Sequence, residues 1–130
     1  MKELSSQRIV LASGNAGKLK EFQSLLADVG FEVVAQSEFN VPDADETGLS
    51  FVENAIIKAR HGCQLTGLPA IADDSGLEVD ALLGKPGIYS SRFAGVDGDD
   101  KDAANNRKLL NSLEGLSQSE RTARCQCVLV

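Results

Sequence analysis

The sequence predicts an α/β fold with a central sheet flanked by helices, and three observations carry that prediction. Residues 9–12, 32–35 and 70–72 are short apolar runs of strand length. Between them lie residues at helical spacing: Leu19, Phe22, Leu25, Leu26 and Val29, then Val52, Ala55, Ile56, Ala59 and Cys63. The first run passes into a glycine-rich loop before its helix. The chain therefore opens as strand, loop, helix, strand, the order of a βαβ unit.

Each element follows from local chemistry. The strand at 9–12 ends in Ser13-Gly14-Asn15-Ala16-Gly17, a cluster of turn formers. A helix is expected from Lys18, with Gly30 closing it. After the strand at 32–35, residues 36–48 are polar and acidic around Pro42, a loop of functional length. Ser50-Phe51-Val52-Glu53 has the capping-box spacing, and Gly67 and Pro69 end the helix behind it. The strand at 70–72 runs into Asp73-Asp74-Ser75-Gly76. Leu77 and Val79 then alternate with Glu78 and Asp80, as in a strand returning from a turn at Ser75-Gly76. Residues 84–87 form a loop with Pro86, and 89–95 fit no single pattern. The acidic loop 97–100 suits the cap of a helix bearing Ala103, Asn106, Leu110 and Leu113. Ser117-Gln118-Ser119-Glu120 matches a capping box again, and 125–130 reads as a strand. No repeat, low-complexity tract or linker interrupts residues 1–130, so one α/β unit is expected.

Composition narrows the function. At 42% hydrophobic and 25% charged, the chain of 130 residues is an ordinary globular domain rather than a disordered one. No apolar run approaches the ~18 residues of a membrane span. MKELSSQR has no apolar stretch behind it, so no secretory signal is visible. Thirteen basic against 19 acidic residues give a net charge of −6, which disfavours sequence-independent nucleic-acid binding. A phosphorylated small molecule remains accessible if cations are concentrated at one site or a metal bridges the charges. Three cysteines without a signal point to a reducing, cytoplasmic compartment. Cys125 and Cys127 read as strand residues facing one way, not as metal ligands.

Four segments could carry chemistry. Ser13-Gly14-Asn15-Ala16-Gly17-Lys18 combines glycines, a helix start and a lysine, which together suit a polyphosphate. It is neither a Walker A motif nor G-x-G-x-x-G, and an ordinary strand-to-helix turn is the alternative. Asp73 and Asp74 follow an apolar strand at its carboxyl end, where α/β proteins place their sites. Neighbouring strand residues face opposite ways, so one acid is expected in the site and the other in a structural role. Asp43, Asp45 and Glu46 alone read as a solvated stretch, but with Asp74 they could complete a Mg²⁺ site. Asn54, Lys58 and His61 share one helix face, either simply solvated or supplying a second cation for polyphosphate. His61 is the only histidine and receives no catalytic role. In the segment 87–95, Arg92 could pair with an acid or a phosphate, but with Tyr89 and Phe93 suited to a core the structural reading is preferred.

Taken in order, SGNAGK, the acidic loop ending in ETG, FVENAIIKAR, AIADDSGLEVDAL and GKPGIYSSRFAG make the chain resemble the inosine triphosphate pyrophosphatase family from about Ile9 to Val130. The resemblance implies a two-lobed α/β fold with a mixed sheet, usually in a homodimer. It implies cleavage of non-canonical purine nucleoside triphosphates (ITP, dITP, XTP) between the α and β phosphates. Carried onto this chain, Ser13, Gly14, Asn15, Ala16, Gly17 and Lys18 would hold the triphosphate. Lys58 would neutralise phosphate and Ser75 would contact substrate. Glu46 and Asp74 would ligate Mg²⁺, with Asp74 also the base that activates water, and Asp73 a possible orienting residue. That chemistry needs charge neutralisation and a positioned water, not a covalent nucleophile.

Family members continue past the position matching Val130, with an aromatic-rich motif and a Ser-His-Arg motif that read the base. The expectation is therefore a C-terminally truncated domain, impaired or inactive on its own. A non-catalytic nucleotide- or phosphate-binding module that dimerises is the alternative. A Maf-like pyrophosphatase shares the N-terminal phosphate loop, but ADDSG and FVENAIIKAR speak against it.

Overall fold

In the computed structural model, which describes residues 7–130, the first apolar run becomes strand β1 (Gln7–Leu11). The stretch read for a secretory signal lies, up to Ser6, outside the described residues. Helix α1 (Ala16–Ala27) starts two residues before the expected Lys18. The reason is Asn15, which stands at the cap and accepts a hydrogen bond from the Lys18 N–H at 3.0 Å. Strand β2 (Phe31–Ala35), helix α2 (Phe51–Thr66) and strand β3 (Ala70–Ile71) follow.

β2 and β3 both pair parallel with β1, in the order β2-β1-β3. Leu11 stands level with Ala35 on one side and Ile71 on the other. Val10 and Leu11 are completely buried at the centre of this sheet. Parallel pairing at this register brings the carboxyl ends of all three strands to one edge.

Helix α2 is anchored at both ends. The Ser50 hydroxyl accepts from the Glu53 N–H at 3.2 Å, as the capping box predicts. The Glu53 carboxylate reaches the Leu49 N–H instead of the cap's own, at 2.8 Å. Gly67 closes the helix with a φ of 71° and donates to the Cys63 carbonyl. The buried face is narrower than the periodicity predicts. Val52 and Cys63 are exposed, whereas Asn54, Ala55, Ala59 and Gly62 are buried. Small side chains win because the helix packs closely: a methyl group built on Gly62 would lie 3.2 Å from the Ala12 Cβ.

The fold divides into two units, one running to Asp73 and including Val128–Val130, the other Asp74–Cys127. Within the first, Ala72 and Val130 exchange both backbone hydrogen bonds, at 2.8 and 2.9 Å, the mark of an antiparallel pair. Strand β4 (Asp73–Val79) pairs with strand β5 (Ala123–Leu129), and helix α3 (Lys101–Ser112), within the second unit, lies between them in sequence.

The expected turn at Ser75-Gly76 is overturned, since both residues sit inside β4. Pairing with a strand from far along the chain overrides their local turn preference. Asp80 marks the end of that pairing, taking the Thr122 hydroxyl at 2.7 Å and Arg124 at 2.9 Å. The segment 89–95 that fits no single pattern begins in a 3-10 helix, Gly87–Arg92, which also takes Gly87 from the expected loop, and in it Arg92 lies 5.1 Å over the Tyr89 ring. Buried Asn105 of α3 ties down the following turn through Ala94 N–H at 2.8 Å and Ser91 carbonyl at 3.0 Å. Asp100 occupies the α3 cap position without a side-chain capping bond. No helix among the described residues is long and apolar enough to cross a membrane.

Candidate functional site

The carboxyl edge of the parallel sheet gathers residues 13–15 after β1, residues 36–50 after β2, and Ala72 after β3, which leads straight into Asp73 at the start of β4. Loop 13–15 is built by its own side chains. The Ser13 hydroxyl accepts from the Asn15 N–H at 3.2 Å, and Asn15 caps α1. Residues 14–17 are exposed, and the first-turn N–H groups of Ala16 and Gly17 have no acceptor within the helix. They lie at the positive end of the α1 dipole, an anion-binding arrangement.

Two lysines converge on one residue. Lys18 Nζ pairs with Asp73 Oδ2 at 2.8 Å, and Lys58 Nζ donates to the Asp73 carbonyl at 2.8 Å. Lys58 Nζ also pairs with Glu46 Oε1 at 3.0 Å. Asp73 is only 4% exposed, and its Oδ1 is buried with no hydrogen-bond partner among the described residues. A buried carboxylate requires compensating charge, and Lys18 supplies it.

The face of α2 carrying Asn54, Lys58 and His61 is not a solvated face. It grips the acidic loop at three points in reverse order along the chain. Asn54 Oδ1 accepts from Gly48 N–H at 2.8 Å, Lys58 holds Glu46, and His61 Nε2 bonds the Pro42 carbonyl at 2.8 Å. Gly48 is required here, because a methyl group on it would lie 2.7 Å from Asn54 Oδ1 and 2.7 Å from Glu53 Cβ. Asn54 is therefore a buried anchor, and Glu46 is held in place by Lys58.

The first unit thus brings together Ser13, Gly14, Asn15, Ala16, Gly17 and Lys18 with Lys58, Glu46 and Asp73. Asp74 is buried and Ser75 exposed, and both open the second unit. Sequence reading undervalued Asp73, where both lysines end, and missed Gln36, which is buried and donates to Asp43 Oδ1 at 2.8 Å. A signal existed for each: a polar residue directly after an apolar strand, at the edge where sites form. Cys63, Cys125 and Cys127 are free thiols. Among the described residues no group of three or more His, Cys, Asp or Glu is placed to hold a metal ion.

Comparison with known proteins places relatives around this geometry. A sequence profile of the Ham1 family matches residues 9–130. The chain is 63% identical over 124 residues to a dITP/XTP pyrophosphatase of Vibrio parahaemolyticus, covering 95% of this chain and 61% of that protein. It is 63% identical over 123 residues to a dITP/XTP pyrophosphatase of Thioalkalivibrio sulfidiphilus, covering 95% and 62%. Among solved structures, a HAM1 protein from Coxiella burnetii superposes with a TM-score of 0.83 at 52% identity, covering 95% of this chain and 61% of that one. The Ham1 protein of Staphylococcus aureus gives 0.77 at 44% identity, covering 95% and 62%. The chain thus spans about three fifths of the length of these relatives.

Proposed function

The chain belongs to the Ham1 family, and from that premise we propose that it acts on non-canonical purine nucleoside triphosphates such as ITP, dITP and XTP, hydrolysing them to the monophosphate and pyrophosphate. One observation carries the reading: two lysines meet at Asp73 beside an exposed loop of first-turn N–H groups. A triphosphate presents several oxyanions at once, and fixed positive charge and N–H donors together meet that need.

In this reading Ser13, Gly14, Asn15, Ala16, Gly17 and Lys18 bind the phosphates, and Lys58 neutralises them from the α2 side. Ser75 contacts substrate. Asp74 accepts the proton of the attacking water and orients it for in-line displacement at phosphorus. Asp73 is a positioning residue, holding Lys18 through its carboxylate and Lys58 through its carbonyl. We further read residues 1–130 as one domain of the family, acting in the cytoplasm as a homodimer. The free cysteines are compatible with a reducing compartment.

The donor set fits Mg²⁺. A hard cation takes one or two carboxylates, waters and phosphate oxygens. Glu46 and Asp74 are the carboxylates we assign to it. The buried Oδ1 of Asp73, unpartnered among the described residues, adds an acceptor of the same hard character. When bound, the ion would offset phosphate charge and lower the pKa of a water.

The test measures binding and turnover separately on this chain, with dITP or XTP and Mg²⁺. Pyrophosphate release that falls at least about a hundredfold in Asp74→Asn supports the assignment. Undiminished release in that variant removes Asp74 as the base. Nucleotide binding without any release makes the chain a phosphate-binding module instead.

A further inference from the structure

One fixed acid at this edge has no part in the chemistry above. Asp43 is exposed, yet it is not loose. Its Oδ1 accepts from Nε2 of buried Gln36 at 2.8 Å. Two residues earlier Val41 is buried, and its N–H donates to the Gln36 carbonyl at 3.3 Å. Between them, the Pro42 carbonyl meets His61 at 2.8 Å. Three consecutive residues are pinned, and a solvated acidic stretch needs no such fixing.

The pinned carboxylate lies against the phosphate loop. A methyl group built on Gly14 would sit 3.4 Å from Asp43 Oδ1 and 3.8 Å from Oδ2. The backbone does not demand glycine there, since Gly14 is outside the left-handed region. A carboxylate at this point opposes the rest of the loop. The α1 N-terminus and Lys18 favour an anion, whereas Asp43 repels one. The loop carries a second mark of a ligand site. Lys18 ends at Asp73, whose Oδ1 is buried and unpartnered among the described residues.

The opposing charges are reconciled if the ligand arrives with part of its charge already neutralised. We propose that Asp43 is a selectivity residue, disfavouring metal-free polyphosphate at loop 13–18 and leaving the divalent-cation complex as the ligand that binds. The proposal rests on reading that loop as a phosphate site.

Asp43→Asn keeps the oxygen that accepts from Gln36 and removes the charge. Asp45→Asn makes the same change in net charge at an exposed neighbour. Each protein is titrated calorimetrically with sodium tripolyphosphate, once with EDTA and once with excess Mg²⁺, at one ionic strength. In EDTA, Asp43→Asn is expected to bind about three- to fivefold tighter than the parent, the size of a partly screened charge effect. With Mg²⁺ it changes by less than about twofold, and Asp45→Asn stays within about twofold in both conditions. Equal tightening in both variants reduces the effect to net charge and overturns the proposal, as does no tightening in Asp43→Asn. If the parent binds tripolyphosphate in neither condition, the phosphate-loop reading falls and the proposal with it. If the parent binds with Mg²⁺ but Asp43→Asn shows no selective change, only the proposal falls.

Discussion

Helices α1 and α2 serve the same sheet edge in opposite ways. α1 is rich in large apolar residues, yet buries none completely: Leu19, Phe22 and Leu26 are half-buried, and Leu25 is 66% exposed. α2 buries Ala55, Ala59 and Gly62, with Asn54 among them. Side-chain size therefore does not measure how tightly a helix is held. Small residues let α2 approach β1 closely, and that approach sets Asn54, Lys58 and His61 within reach of the acidic loop. α1 contributes only its first turn, where Asn15 and Lys18 act. One helix serves the site through its end and the other through its side.

The largest expected effect tests the side of α2. Lys58→Met removes the charge that spans Glu46 and the Asp73 carbonyl. Its aliphatic stem is conserved, and the Asn54 and His61 anchors remain. Pyrophosphate release from dITP is expected to fall at least about a hundredfold in kcat/KM, about 2.7 kcal/mol of transition-state stabilisation. Lys58→Arg keeps the charge and recovers part of that loss. A fall of less than about tenfold in Lys58→Met would remove the side of α2 from the catalytic surface.

What the sequence made legible follows from locality. The βαβ opening, the capping box at Ser50 and the closing role of Gly67 were all readable, because each depends on residues within a few positions. The strand through Ser75-Gly76 was not readable, because β5 supplies the pairing that straightens it, some fifty residues along the chain. In the site, SGNAGK and the two lysines were visible as types of chemistry. That both lysines end at Asp73 was not, since three separate elements bring them there. The shared face of Asn54, Lys58 and His61 was correctly placed by helical geometry, but its burden was not. A helical pattern says which residues stand together, and only the packing of a distant loop says what they hold.

The next effect separates close packing from apolar content. Gly62→Val adds branched bulk where a single methyl already approaches Ala12 Cβ at 3.2 Å. Overpacking of this kind costs about 1–3 kcal/mol, read as a lower midpoint in urea unfolding at unchanged slope. Gly62→Ala should cost less, since Ala12 has to yield only a few tenths of an ångström. If valine is accepted without loss, the close contact of α2 with β1 is not what holds the helix.

The smallest effect comes from α1 and completes the comparison. Leu25 stands at a position that helical periodicity assigns to the apolar stripe, and replacing a buried leucine by a smaller residue typically costs 2–5 kcal/mol. The structure leaves Leu25 66% exposed, so Leu25→Gln removes little buried area and breaks no hydrogen bond. Its expected cost in urea unfolding is within about 0.5 kcal/mol, the range of ordinary surface changes. The same substitution leaves Asn15 and Lys18 untouched two turns away, so tripolyphosphate binding with Mg²⁺ stays at the parent value. A loss of 2 kcal/mol or more, as estimated for a core leucine, would mean that α1 is gripped at Leu25 as well as along the half-buried stripe of Leu19, Phe22 and Leu26. The contrast between an end-serving and a side-serving helix would then fail.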